Sequence, residues 1–179
     1  MIESNAPPPA VASEDARAFL RLDAGQDDSV LDLLIGAATL ACERCIGRPL
    51  VQREVLEVVA ADTAWHVLTT QPVRFVVMIE GIDAEGYLFS LPQSSYTVDL
   101  LDENGARFRL IDPGGSASVR VRYFAGMAGD AFAVPAALRL GMLQLMAYWH
   151  RERDREEAGE HVPVAVRALW QDWRRMQIA

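Results

Sequence analysis

Asp27-Asp-Ser-Val-Leu-Asp-Leu-Leu-Ile-Gly-Ala-Ala-Thr-Leu-Ala-Cys-Glu-Arg-Cys-Ile-Gly-Arg-Pro49-Leu50 reads as one amphipathic helix with a start signal, an apolar stripe and a hard stop. Val30, Leu31, Leu34, Ala37, Ala38, Ala41, Cys45 and Ile46 recur at three- and four-residue steps, which places them on one face. Asp27 and Asp28 stand where a cap and the positive end of the helix dipole favour carboxylates. Gly47 can adopt the left-handed conformation that ends a helix, and Pro49 cannot continue one.

Around this segment the pattern predicts helices over residues 13–22, 27–47, 135–155 and 163–176, with β structure inserted over 51–125. Ser13 is placed to cap the first helix, and Pro135 suits the first position of the third. The third helix is apolar nearly all round in its first half, so burial on several sides is expected. Between the helices, Val51 to Val59, Trp65 to Leu68 and Val73 to Glu80 read as strands, the last mostly buried. Asp83-Ala-Glu-Gly86, Asp102-Glu-Asn-Gly105 and Asp112-Pro-Gly-Gly115 are turn signals of the kind that join hairpins. Val119, Val121 and Tyr123 alternate with Arg120 and Arg122, which makes the arginine face a solvated surface by default. The expected fold class is α+β: a helical bundle core of two N-terminal and two C-terminal helices, with an inserted antiparallel β-meander or small sandwich. Residues 1–12, with Pro7-Pro-Pro9, read as an extended, disordered arm, and 13–179 as a single domain.

The chain has 179 residues, 51% of them hydrophobic and 23% charged, and a net charge of −8, which argues against a free-standing DNA-binding protein. All 17 basic residues are arginine, so lysine-dependent mechanisms such as Schiff-base chemistry and the Gly-Lys-Ser/Thr phosphate loop are excluded. No apolar run approaches the roughly 20 residues that span a bilayer. The N-terminus lacks the features of a secretory signal, and two cysteines point to free thiols in a reducing compartment.

No constellation supports catalysis, a cofactor or a metal. Cys42-Glu-Arg-Cys45 lies in the last third of its helix, where the dipole disfavours a thiolate, so core packing is the expectation. His66, His150 and His161 have neither metal nor triad spacing. Ser94-Ser95 lacks nucleophile-elbow glycines, and Gly126-Met-Ala-Gly129 lacks the spacing of a phosphate cradle. The acidic groups Asp83 with Glu85, Asp102-Glu103 and Glu156-Glu157 read as turn formers and solvated helix ends. Trp170, Trp173, Arg174 and Arg175 are the residue types most enriched in binding hot spots; the same tryptophans are equally suited to closing the core.

Three segments together resemble the head–tail connector (adaptor) family of tailed phages and gene transfer agents. They are Asp27 to Leu50, with Leu34-Ile-Gly-Ala-Ala38 and Glu43-Arg-Cys-Ile-Gly-Arg-Pro-Leu50; Val134-Pro-Ala-Ala-Leu-Arg139 with Ala147-Tyr-Trp-His-Arg-Glu152; and Val162-Pro-Val-Ala-Val-Arg-Ala-Leu-Trp170 with Trp173-Arg-Arg175. Pro72-Val73 and Arg122-Tyr-Phe-Ala-Gly126 also fall where that family has strand residues. The resemblance implies a virion structural protein, not an enzyme, made in the host bacterial cytoplasm and located in the neck. It implies a homo-oligomeric ring, commonly dodecameric, that binds the portal protein, extends the DNA channel and docks a stopper or tail-completion protein. DNA would pass without sequence-specific binding and no membrane is involved. The alternative is another neck or tail-completion protein, or a DNA-packaging accessory factor. A partner interface is expected at Trp170, Trp173, Arg174 and Arg175, in the segment from about Pro163 onward.

Overall fold

The structure, a computed structural model, describes residues 1–23, 28–101, 105–152 and 162–174. Among these the fold is α+β, with four α-helices and antiparallel sheets. The chain groups into two compact units: a β unit of Met1–Ala6 and Gln52–Gly126, and a helical unit of Pro7–Val51 and Met127–Ala179.

The helical unit contains α1 (Ser13–Leu20), α2 (Asp28–Ile46), α3 (Ala136–Glu152) and α4 (Val164–Trp170). Leu31, Ile35, Ala38, Cys42 and Ile46 form the buried line of α2. They share one apolar cluster with Ala16 of α1, Leu138, Met142, Leu145 and Met146 of α3, and Val166 and Trp170 of α4. The stripe expected from the sequence is therefore rotated. Val30 is exposed, whereas Ile35, Thr39 and Glu43 are buried. Both buried polar residues are satisfied. Thr39 Oγ1 donates to the Ile35 carbonyl at 2.8 Å and accepts from the Ala10 N–H at 3.3 Å.

Glu43 explains the stop after α2. Gly47 is left-handed, with φ 73°, and its N–H returns to the Glu43 carbonyl at 2.8 Å. The Glu43 carboxylate then accepts the Leu50 N–H at 2.8 Å, which ties down the chain beyond Pro49. Farther along the chain, the backbone N–H groups of Met127 and Ala128 donate to the carbonyls of Pro49 and Leu50. The sequence Glu43-Arg-Cys-Ile-Gly-Arg-Pro-Leu50 is thus a helix end anchored by a side chain four residues before Gly47.

Helix boundaries differ from expectation in α1 and in the last helix. Ala12, not Ser13, occupies the cap of α1, and no side chain bonds there. The third helix is described to Glu152; its expected continuation to 155 lies outside the described residues, as does Asp27. The last helix is shorter than 163–176: α4 ends at Trp170 and tightens into a 3-10 turn over Gln171–Trp173, after which Arg174 is extended. Arg175 and Met176 lie outside the described residues.

The β unit holds eight strands among the described residues: β1 (Ile2–Ser4), β2 (Arg53–Ala60), β3 (His66–Val67), β4 (Val73–Ile82), β5 (Leu88–Ser90), β6 (Tyr96–Leu100), β7 (Ala106–Leu110) and β8 (Ser118–Ala125). They form a five-stranded sheet in the order β1-β2-β8-β4-β5 and a three-stranded sheet in the order β3-β7-β6. Both contribute to one core around Phe108, Tyr123, Val121, Val119 and Ile79, so the unit is a small sandwich rather than a meander. β8 is central because its alternation is complete: Val119, Val121 and Tyr123 are buried while Arg120 and Arg122 face away. Asp112-Pro-Gly-Gly115 is not a hairpin turn; it crosses from β7 in one sheet to β8 in the other. Asp83 to Gly86 does join a hairpin, and Asp83 Oδ1 accepts the N–H groups of Glu85 and Tyr87. β4 is less buried than expected, since Phe75 and Val77 are exposed.

The N-terminal residues are ordered, contrary to the expected disordered arm. Ile2, Glu3 and Ser4 pair with Glu57, Leu56 and Val55, and Ala10 and Val11 are fully buried. β1 carries no proline, so its N–H groups are free to pair with the open edge of β2, and Pro7, Pro8 and Pro9 lie beyond the strand.

Candidate partner interface

Trp170 is fully buried, so it takes the core role of the two left open by the sequence. Its indole lies over Gly141 of α3, and its N–H donates to the Leu138 carbonyl at 3.3 Å. Trp173 is partly buried against the same cluster, and Arg174 is exposed. The four residues grouped by the sequence therefore separate into a core anchor, a marginal aromatic and a solvent-facing cation, with Arg175 outside the described residues.

Arg174 instead joins two arginines that the sequence did not single out. Together with Arg44 of α2 and Arg167 of α4 it rims a groove of about 770 Å³, floored by Leu40, Ala41 and Trp149. None of the three has an ion-pair partner among the described residues. The groove continues an outward stripe on α2: Leu33 (74% exposed), Ala37 and Leu40 (40%) stand at helical spacing and end at Arg44. α2 is thus apolar on two faces, which is why its sequence periodicity did not identify the buried one. A second groove of about 650 Å³ runs between the end of α1 and the facing ends of α3 and α4, with Phe19, Arg21, Tyr148 and His150 on its wall.

In the β unit the arginine face is not free. Arg120 places Nε and Nη2 at 2.9 and 2.7 Å from one Glu80 oxygen, directly across the β4–β8 ladder. Arg122 stands 3.6 Å from Glu54 on β2. The expected solvated surface is therefore a half-buried ladder of charge pairs. Behind it, the buried Glu57 carboxylate accepts from the Tyr123 hydroxyl at 2.8 Å and from the Thr69 hydroxyl and N–H at 2.6 and 3.0 Å. Burial pushes the Tyr123 phenol well above its ordinary range; the Thr70 contact opposes this and Glu57 adds to it. On the three-stranded sheet, the guanidiniums of Arg107 and Arg109 sit 4.2 and 5.0 Å from the Trp65 ring.

The candidate chemical groups occupy structural positions. Cys42 is fully buried, and burial, reinforced by Cys45 and Glu43, raises its thiol far above the reactive range. His66 stacks on Phe108 and lies 2.9 Å from Asp62, whose carboxyl is lowered by the Ala64 N–H and then by His66. His150 lines the second groove, and Ser95 donates its backbone N–H to the Pro92 carbonyl. His161, Asp102, Glu103, Glu156 and Glu157 lie outside the described residues. Among the described residues, no three His, Cys, Asp or Glu side chains converge as a metal site would require, and no helix is long and apolar enough to cross a membrane.

No family model and no curated protein matches the chain. Solved structures do. A chain of the virion of a native gene transfer agent particle superposes with a TM-score of 0.75 at 23% identity, covering 100% of this chain and 97% of that one. Chains from the neck of an empty gene transfer agent particle, computed with C6 symmetry, and from the neck of a native particle, computed with C12 symmetry, give TM-scores of 0.73 and 0.72. Their identities are 22% and 21%, with the same coverage. At these identities the likeness is one of fold, and it extends over both units.

Proposed function

We propose that this chain is a structural protein of a virion neck: a head–tail connector whose copies form a ring beneath the portal, extend the DNA channel and dock a stopper or tail-completion protein. The observation that carries the reading is the fold shared over the whole chain with chains of gene transfer agent necks and virion. Cyclic symmetry in those particles fits a ring, and twelve copies is the number we assign.

On this reading the helical unit is the bundle core of the connector. The segment from Pro163, through Trp173, Arg174 and Arg175, contacts the portal or the neighbouring subunit. Trp170 contributes by holding that segment against α3. DNA passes through without being gripped, because a chain of net charge −8 offers little to phosphate. An electropositive lumen in the assembled ring would contradict this last point.

Co-sedimentation of the purified chain with its portal tests the reading. The chain is expected to move with the portal in a fixed cyclic stoichiometry. A chain that remains at the position of free monomer across the portal titration would refute it.

A further inference from the structure

Ile35, Ala38 and Cys42 of α2 share one apolar cluster with Leu138, Met142 and Leu145 of α3, so the two helices meet through these faces. Leu33 and Leu40 stand two positions from Ile35 and Cys42, and Ala136 and Leu140 stand two positions from Leu138 and Met142. Two positions are about 200° of helix, so each helix carries a second apolar stripe on its far side. On α2 the stripe is Val30, Leu33, Ala37 and Leu40, all exposed. On α3 it is the exposed Ala136 and Leu140 with the half-buried Ala147, and it continues into the groove beside Phe19. The helical unit thus presents two apolar faces on opposite sides, and two different faces per subunit are what a head-to-tail ring requires.

The α2 face is shaped to receive a helix. Leu33, Gly36, Ala37 and Leu40 are the four residues, at i, i+3, i+4 and i+7, that bound one hole on a helix surface. Its floor is open, because a Cβ at Gly36 would meet nothing within 4 Å. Leu140, 41% exposed, is the matching knob, and the small Ala136 and Ala147 on either side of it let a second backbone approach.

Charge selects the direction. Each stripe ends in an arginine, Arg44 on α2 and Arg151 on α3, and a parallel approach would set these together. An antiparallel approach with Leu140 in the hole carries Arg151 to the acidic start of α2, with the exposed Asp32, and Arg44 to the exposed Asp130 and Phe132 ahead of α3.

We propose that Leu140 of one copy seats between Leu33 and Leu40 of the next, the two helices running antiparallel, and that repetition of this contact closes the ring. This rests on the reading of the chain as a ring-forming neck protein and names the two halves of its subunit contact.

Sedimentation velocity with and without portal tests it, using the full chain, L33D/L40D, L140D and a one-to-one mixture of the two variants. The wild-type chain assembles. Each variant alone self-associates roughly tenfold or more weakly, since a carboxylate then enters the apolar contact. The mixture forms dimers and stops there: the intact α3 face of one variant meets the intact α2 face of the other, and two damaged faces remain outside. L33Q/L40Q and L140Q give a smaller loss and serve if a charged variant does not melt normally. Wild-type assembly by either charged variant overturns the contact, as do rings from the mixture, or a mixture still monomeric at tenfold the wild-type assembly concentration. Normal self-assembly of both variants with portal capture lost gives the two faces to the portal and overturns it too. Rings of wild type on portal with unaffected variants refute this contact and leave the neck reading standing; no wild-type assembly under either condition refutes both.

Discussion

Gly141 lies directly beneath the indole of Trp170: a Cβ at Gly141 would stand 2.9 Å from Trp170 Cε2 and closer still to Nε1. The glycine is buried mid-helix, where glycine costs about 1 kcal/mol relative to alanine, so the close approach of α4 is what it accommodates. Gly141→Ala is expected to destabilise by roughly 1–2 kcal/mol net, overpacking outweighing the gain in helix propensity. Trp170→Leu removes the obstructing indole, so the double variant should be more stable than the sum of the two single changes predicts. Thermal melts of the four chains measure that coupling.

The same pair shows what the sequence could and could not reveal. Gly141 was visible as a lone glycine in an apolar helix, a sign of close packing that was open to reading. Its partner was not, because Trp170 lies 29 positions away and its type suits a core or an interface equally. For α2 the existence, length and stop of the helix were legible from Gly47, Pro49 and the apolar spacing. The buried face was not, since Leu33, Ala37 and Leu40 make a second apolar stripe outside. Sheet order was hidden for a different reason: β8 pairs with β2 and β4, both distant in sequence, and only the alternation along β8 hinted at its central place. The arginine groove draws on α2, on α4 and on the residue after the last 3-10 turn, so no local motif contains it.

Glu43 should matter through its acceptor rather than its charge. Glu43→Ala leaves the buried Leu50 N–H without its partner and is expected to cost about 1–3 kcal/mol. Glu43→Gln keeps an acceptor oxygen and should cost less. Chemical denaturation of both variants, with hydrogen exchange at Leu50, reads the difference.

Alkaline pH should weaken the fold in two stages. Both Cys42 and Tyr123 keep their protons in the native state, because each is raised from its ordinary value, 9.0 for the thiol and 10.0 for the phenol. The unfolded chain releases these protons first, so each contribution is intact below its unfolded value and stability falls as pH rises above it. Cys42→Ala should flatten the fall that begins near 9, and Tyr123→Phe the fall that begins near 10. Urea midpoints from pH 8 to 11 check both slopes; an unchanged slope in Cys42→Ala would contradict the burial of a protonated thiol.

The Arg120–Glu80 pair should be worth on the order of 1 kcal/mol in a double-mutant cycle, being half-buried and bonded through two nitrogens to one oxygen. The coupling is expected to persist in high salt more than that of the longer Arg122–Glu54 contact at 3.6 Å. Cycles at low and high ionic strength measure this.

Electron microscopy of the purified chain mixed with its portal tests the central claim most directly. The account predicts a second ring stacked coaxially on the portal, with twelve copies, an open central channel and both compact units visible in each subunit. Portal rings that remain bare, or copies that attach without closing into a ring, would contradict it.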